Sequence, residues 1–142
     1  MGVVGRDSGT VRLTVAHHSG RADLEPVVQA AARPGAQVHT DEWRGYVGME
    51  QLGHPHHTVK HRPPHPEWAR DDDGDGVREV HCNTIEGLWT GLRNFLRMFR
   101  GVSKWYLLQY VAMFEWMHNL KRVTKDFLCM LLGRRPSTND ST

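Results

Sequence analysis

Cysteine is nearly absent. Cys82 and Cys129 are the two cysteines among 142 residues, and they form neither a CxxC pair nor a regular framework. That excludes a disulfide scaffold and makes a reducing cytoplasm the expected compartment. Long apolar runs are missing too, with nothing near the roughly 18 residues of a bilayer-spanning helix. The opening MGVVGRDSGT has no basic start followed by an apolar stretch, so no secretory signal is read there. The chain carries no phosphate-binding P-loop, dinucleotide fingerprint or G-x-S-x-G elbow, and no internal repeat. Acidic residues are scarce near the C-terminus: between Arg93 and Arg135, only Glu115 and Asp126 stand against nine lysines and arginines.

What is present suits one globular domain with its own core, at 39% apolar and 24% charged residues. The net charge of +2 says little about partners, whereas the basic C-terminal third has the footprint of a surface that follows a phosphate backbone. A solvated basic face is the alternative. Five of the ten histidines fall between His54 and His65.

Val11, Leu13 and Val15 alternate with Arg12 and Thr14, so residues 3–4 and 10–16 read as a β-hairpin around Arg6-Asp7-Ser8-Gly9. Leu24, Val27, Val28 and Ala31 recur at helical spacing over residues 22–32. Pro26 suits only a first turn, which puts the start near Asp23. A short strand over 36–40 ends at Asp41. A helix is expected over 43–52, weakened by Gly45 and Gly48, and a strand over 56–61. Residues 62–80, with Pro63, Pro64, Pro66, Gly74 and Gly76, read as a loop. Ile85, Leu88, Trp89, Leu92, Leu96 and Phe99 define a helix over 83–99 capped by Asn83 or Thr84. Ser103 caps a second amphipathic helix reaching about Leu120, and 126–132 is a short apolar extension. Residues 1–132 are read as one domain and 133–142 as a disordered polar tail. Strands and helices in this order give an α/β domain.

Four constellations offer chemistry. Asp41 follows a strand at what would be the rim of an α/β sheet, where active sites are built, or it caps the next turn. Glu86 and Arg93, seven apart on one helix, share a face: a metal-binding carboxylate beside a phosphate-holding cation, or a surface pair. Asp71-Asp72-Asp73-Gly74-Asp75-Gly76 matches the start of a calcium loop, but Cys82 stands where the bidentate glutamate belongs; a solvated, mobile loop is the better reading. His54, His56, His57, His61 and His65 lack partners at a zinc spacing and are read as loop and strand histidines.

Taken together, Thr40-Asp41-Glu42-Trp43-Arg44-Gly45-Tyr46, the segment through Gly53-His54 and Thr58-Val59-Lys60-His61, and His81-Cys82-Asn83-Thr84-Ile85-Glu86-Gly87-Leu88-Trp89 with Arg93 resemble the catalytic domain of DDE transposases of bacterial insertion sequences, the ISXO-two-like group. The similarity runs from about residue 3 to about residue 120. Phe114, Trp116, His118 and Asn119 roughly match its terminal helix. The resemblance implies an RNase H-like mixed sheet with flanking helices and three acidic residues holding two Mg2+ ions for DNA strand cleavage and transfer. By this mapping Asp41 is the second acid and metal ligand, Glu86 the third, and Asn83 a secondary candidate. Arg93 contacts DNA phosphate, and Arg97, Arg100 and Lys104 continue the DNA-binding surface. Trp43, Tyr46 and Trp89 are packing residues.

The family's first catalytic Asp lies on a central first strand, and neither Asp7 nor Asp23 fits its place. The expectation is therefore an N-terminally truncated transposase domain, lacking that strand and inactive alone. Its partners would be element terminal repeats and target DNA, with self-association or a full-length transposase as protein partners, in the cytoplasm at the nucleoid. The alternatives are a non-catalytic DNA-binding protein that inhibits full-length transposase through its basic third, and a metal-binding α/β protein using the histidines and aspartates.

Overall fold

The computed structural model describes residues 1–120 and 125–133; the proposed tail at 134–142, with Arg134 and Arg135, lies outside the described residues, as do Lys121 and Arg122. Strands β1 (Gly2–Val4) and β2 (Val11–Leu13) form the expected antiparallel hairpin. Helix α1 (Arg21–Ala31) follows, then β3 (Val38–Asp41) and, in parallel with it, β4 (His56–Val59). Strands β5 (Ala69–Arg70) and β6 (Val80–His81) pair antiparallel, and α2 (Asn83–Arg97), α3 (Leu107–Asn119) and α4 (Lys125–Leu131) complete the chain.

The α/β class holds, but the strands form three separate two-stranded ladders, not one mixed sheet. The two ladders that border the main cleft, β1–β2 and β3–β4, each end on a strand paired on one side only, and no described strand lies between β1 and β3.

Several boundaries differ from the sequence reading. Helix α1 starts at Arg21, so Pro26 falls in its second turn; the cost of one missing N–H is borne by packing of Leu24 and Val28. Residues 43–52 are two 3-10 turns, Arg44–Tyr46 and Met49–Leu52. Gly48 at φ 88° breaks them apart, since a left-handed residue ends any right-handed run. The stretch 62–80 contains β5, which pairs across the acidic loop. The residue before α2 is Cys82 and no side chain caps the helix, so Asn83 is its first residue instead of its cap. Ser103 caps a turn through Trp105 N–H, and α3 proper begins four residues later.

The core is split. Leu24, Val28 and Met49 form one buried cluster, packed by Met1, Val3, Val38 and Tyr46. Val59, Val80 and Cys82 form another, packed by Ile85. Helices α2 and α3 meet through Phe95 and Phe114, ring centres 5.5 Å apart, and Phe99, just past the end of α2, stands edge-on to both Phe95 and Tyr110. Side chains of α3 fasten the hairpin: Asn119 Oδ1 accepts from Val11 N–H at 2.8 Å and its Nδ2 donates to the Val11 carbonyl at 2.9 Å. Glu115 accepts from Leu13 N–H at 2.6 Å and pairs with Arg12 at 3.0 Å. The Arg6 guanidinium donates to the carbonyls of Glu79 and His81, tying the hairpin turn to β6. No helix among the described residues is long and apolar enough to cross a membrane.

Candidate active-site cleft

A cleft of about 1160 Å³ runs between β1 and β3, and both Asp41 and Glu86 line it. Asp41 ends β3. One of its carboxylate oxygens, Oδ1, accepts from Trp43 N–H at 3.0 Å, so the turn-capping reading and the rim-of-sheet reading describe the same side chain. Glu86 lies in the first turn of α2, where the helix dipole favours a carboxylate. Its side chain is half exposed and sits 3.5 Å from His61 Nδ1. The ring of His61 stacks on Trp68 at 4.7 Å.

Glu42 supports this wall. Its Oε2 accepts from the His61 N–H at 2.9 Å and its Oε1 faces Arg62 at 3.2 Å. The hydrogen bond from His61, then Glu42's own N–H, hold its carboxyl below the usual range. Cys82 lines the same cleft: burial, and then the negative charges of Asp41 and Glu86, push its thiol up to about 11. Tyr46 is raised by burial and by Asp41. The sequence had offered Glu42 only as a neighbour within a quoted motif and His61 as one of five clustered histidines; it held no sign that Glu42 holds the His61 backbone while the His61 ring approaches Glu86.

The remaining candidates separate. Asn83 is exposed and does not line the cleft. Arg93 is exposed and donates to Thr90 Oγ1 at 3.2 Å, and Arg97 donates to Asn94 at 3.4 Å. Glu86, Thr90, Arg93 and Arg97 make one stripe along α2. Arg100 follows at φ 53°, and Lys104 stands over the Trp105 ring at 5.1 Å. None of these four cations pairs with a carboxylate among the described residues.

His39 stacks on His57 at 5.3 Å, but the five histidines from His54 to His65 do not converge with one another on one metal-binding group among the described residues. His54 bonds the Ala36 carbonyl, His56 meets Thr40, and His57 meets Asp72. Asp71, Asp73 and Glu79 bring ligand atoms within 4.8 Å of one another, but Asp71 already accepts the N–H groups of Gly74 and Gly76, which close the loop. Trp89 packs over β1, where a Cβ on Gly2 would come 2.8 Å from its ring. Trp43 is 45% exposed and anchored through Nε1 to the Ser19 carbonyl.

The family profile of the ISXO2-like transposase domain matches residues 1–119. The chain belongs to this family of DDE transposases. No curated protein and no solved structure matches it. In this transposase domain, the matched span takes in every element from β1 to α3, with Asp41, Glu86 and the basic stripe inside it. Divalent-metal chemistry on DNA is the family's activity, and two carboxylates on one cleft are hard oxygen donors suited to Mg2+.

Proposed function

We propose that residues 1–132 are an RNase H-like transposase catalytic domain in which Asp41 and Glu86 are two of the three carboxylates of a two-metal site. The observation that carries this is the cleft that Asp41 and Glu86 both line. Asp41 keeps an oxygen outside its turn hydrogen bond, and His61 steadies Glu86. Bound Mg2+ would supply charge neutralisation at the phosphate and a more acidic attacking water or 3′-hydroxyl. The chain's own part is positioning: the stripe of Arg93 and Arg97, with Arg100 and Lys104, lays the DNA backbone alongside Glu86. With two carboxylates the site is one ligand short, so the 142 residues alone are inactive.

The test is a plasmid carrying the flanking terminal repeats, incubated with purified protein and Mg2+. No cleavage is expected from the chain alone. A version extended by an Asp-bearing strand should cleave, and Asp41→Ala or Glu86→Ala should lower that rate by at least about 100-fold, as loss of a principal electrostatic stabiliser does. Cleavage by the unextended chain overturns the reading.

The second reading is DNA binding without catalysis, inhibiting a full-length transposase at the nucleoid. That none of Arg93, Arg97, Arg100 and Lys104 meets a carboxylate among the described residues favours it. If these residues meet phosphates, each alanine substitution should flatten the dependence of log K on log salt by about 0.9. Unchanged slopes would leave the basic stripe as a solvated face.

A further inference from the structure

Four of the five tryptophans, Trp43, Trp68, Trp105 and Trp116, stand close to half exposed or more. Three of them have a neighbour that accounts for their place. Trp43 lines the cleft with its Nε1 tied to the Ser19 carbonyl. Trp105 carries the Lys104 ammonium over its ring, and Trp116 leans toward Phe127 at 6.3 Å. Trp68 differs. Its one ring partner among the described residues is His61, stacked at 4.7 Å with 22° between the planes. At 56% exposure, one indole face rests on the imidazole and the other is open.

Trp68 is held from both sides along the chain. Glu67 N–H donates to the Lys60 carbonyl, and Arg70 donates to the Thr58 carbonyl at 2.9 Å, so the segment folds back along β4. His61 is fixed through its N–H by Glu42, and its Nδ1 stands 3.5 Å from Glu86. Indole, imidazole and carboxylate thus form one chain of contacts that ends at a candidate metal ligand. The neighbours of Trp68 are charged: Lys60, Arg62, Glu67 and Arg70. Lys60 is exposed and meets no carboxylate among the described residues, and Arg62, 72% exposed, pairs with Glu42 at its rim. An open aromatic face among cations is the makeup of a surface for single-stranded nucleic acid, where bases stack and phosphates meet the charges. An apolar protein partner would ask for an apolar rim instead.

We propose that Trp68 is the stacking platform for an unpaired base of the DNA strand that runs past Glu86. The base lies on the open indole face, His61 backs the other face, and Lys60 and Arg62 meet the flanking phosphates. In a duplex every base is already stacked, so an open indole serves a base that has left its helix, and stacking offsets part of the cost of taking it out. The platform therefore does what the basic stripe on α2 cannot. Cations hold a backbone whether or not its bases are paired, whereas an aromatic face tells an unstacked strand from a duplex. The proposal rests on the transposase reading for its ligand, DNA, but needs neither a metal ion nor a third carboxylate.

The test uses the full chain with a chelator present, a single-stranded oligonucleotide carrying a fluorescent adenine analogue, and the same sequence as a duplex. Saturable binding of the single strand is expected, with the analogue's fluorescence quenched. Trp68→Ala should weaken single-strand binding at least ~5-fold and abolish the quenching, while duplex binding changes less than ~2-fold. Trp68→Phe should restore most of the loss, and Trp68→Leu, which packs on His61 without a π face, should not. The salt slope should stay the same in Trp68→Ala and flatten by about 0.7 in Lys60→Ala. Absence of single-strand binding overturns the proposal, and so does an equal loss for strand and duplex or rescue by Leu as good as by Phe. If the variants do not fold, photo-crosslinking of the parent chain to an iodouracil strand decides: an adduct on the Trp68 peptide supports the platform, and adducts only elsewhere, or none, overturn it. Failure of Mg2+-dependent cleavage in the extended protein would leave these results untouched, and duplex binding without stacking would overturn the platform alone.

Discussion

The strand-bearing part of the chain, β1 to β6, and the helical part, α2 and α3, lack partners in different currencies. Strand pairing turns backbone groups of Gly2 and Val4 away from β2 and of His39 and Asp41 away from β4, and of these only the Asp41 carbonyl, bonded by the Thr40 hydroxyl, has a partner among the described residues. The helices satisfy their backbone internally and leave side chains in the open, Trp116 and Met117 each at 51% exposure. An open backbone edge accepts one kind of object, a strand in register, because hydrogen bonds are directional. An exposed apolar face accepts many. The first deficit therefore says much more about its missing partner than the second.

Asn119 is where the two parts meet, and its removal should break the contrast most sharply. Asn119→Ala leaves the N–H and C=O of Val11 unpaired beside a side chain that is fully buried. A cost of about 2–4 kcal/mol is expected, the sum of two unsatisfied buried groups partly relieved by water. Urea unfolding reads it as a fall in midpoint at constant slope. Asn119→Asp keeps the acceptor and loses the donor, so it should fall between. If both variants are as stable as the parent, the outer edge of β2 does not need its cover, and the contrast between covered and bare edges loses its force.

That role for Asn119 was not legible in the sequence. The residue stood out through its resemblance to a terminal-helix element, but a contact across 108 positions leaves no local pattern. Local rules did well where one period dominates. The hairpin, the strand ending at Asp41 and the helix carrying Glu86 all formed where alternation or helical spacing placed them. They did poorly where two short elements compete. Residues 43–52 had enough apolar spacing for a helix, and the left-handed Gly48 overruled it. The candidate site was half legible. Motif order paired Asp41 with Glu86 and the fold put both on one cleft, but the bracing of Glu86 by His61 depends on tertiary approach across β4.

Cysteine chemistry sharpens the same comparison. Cys82 is buried on the strand side and its thiol is pushed up to about 11, while Cys129 is partly exposed on α4. The thiolate is the reactive form. At pH 8, iodoacetamide should label Cys129 first, and Cys82 should react at least about 100-fold more slowly than an ordinary thiol. Mass mapping of the labelled peptides checks the order. Rapid labelling of Cys82 would mean that the cleft opens far more than its lining residues show.

The smallest effect separates two things that Glu115 does at once. It accepts the N–H of Leu13 and pairs with Arg12, whose side chain is 65% exposed. An exposed ion pair contributes below about 1 kcal/mol, whereas an unpaired N–H at the strand edge costs about 1–2 kcal/mol. Arg12→Ala and Glu115→Gln should therefore each shift stability by less than about 1 kcal/mol, because both keep an acceptor on Leu13. Glu115→Ala should cost more than either. If Arg12→Ala proves as damaging as Glu115→Ala, charge pairing rather than backbone cover holds this edge, and the bare edges of β1 and β3 can no longer be read by contrast with it.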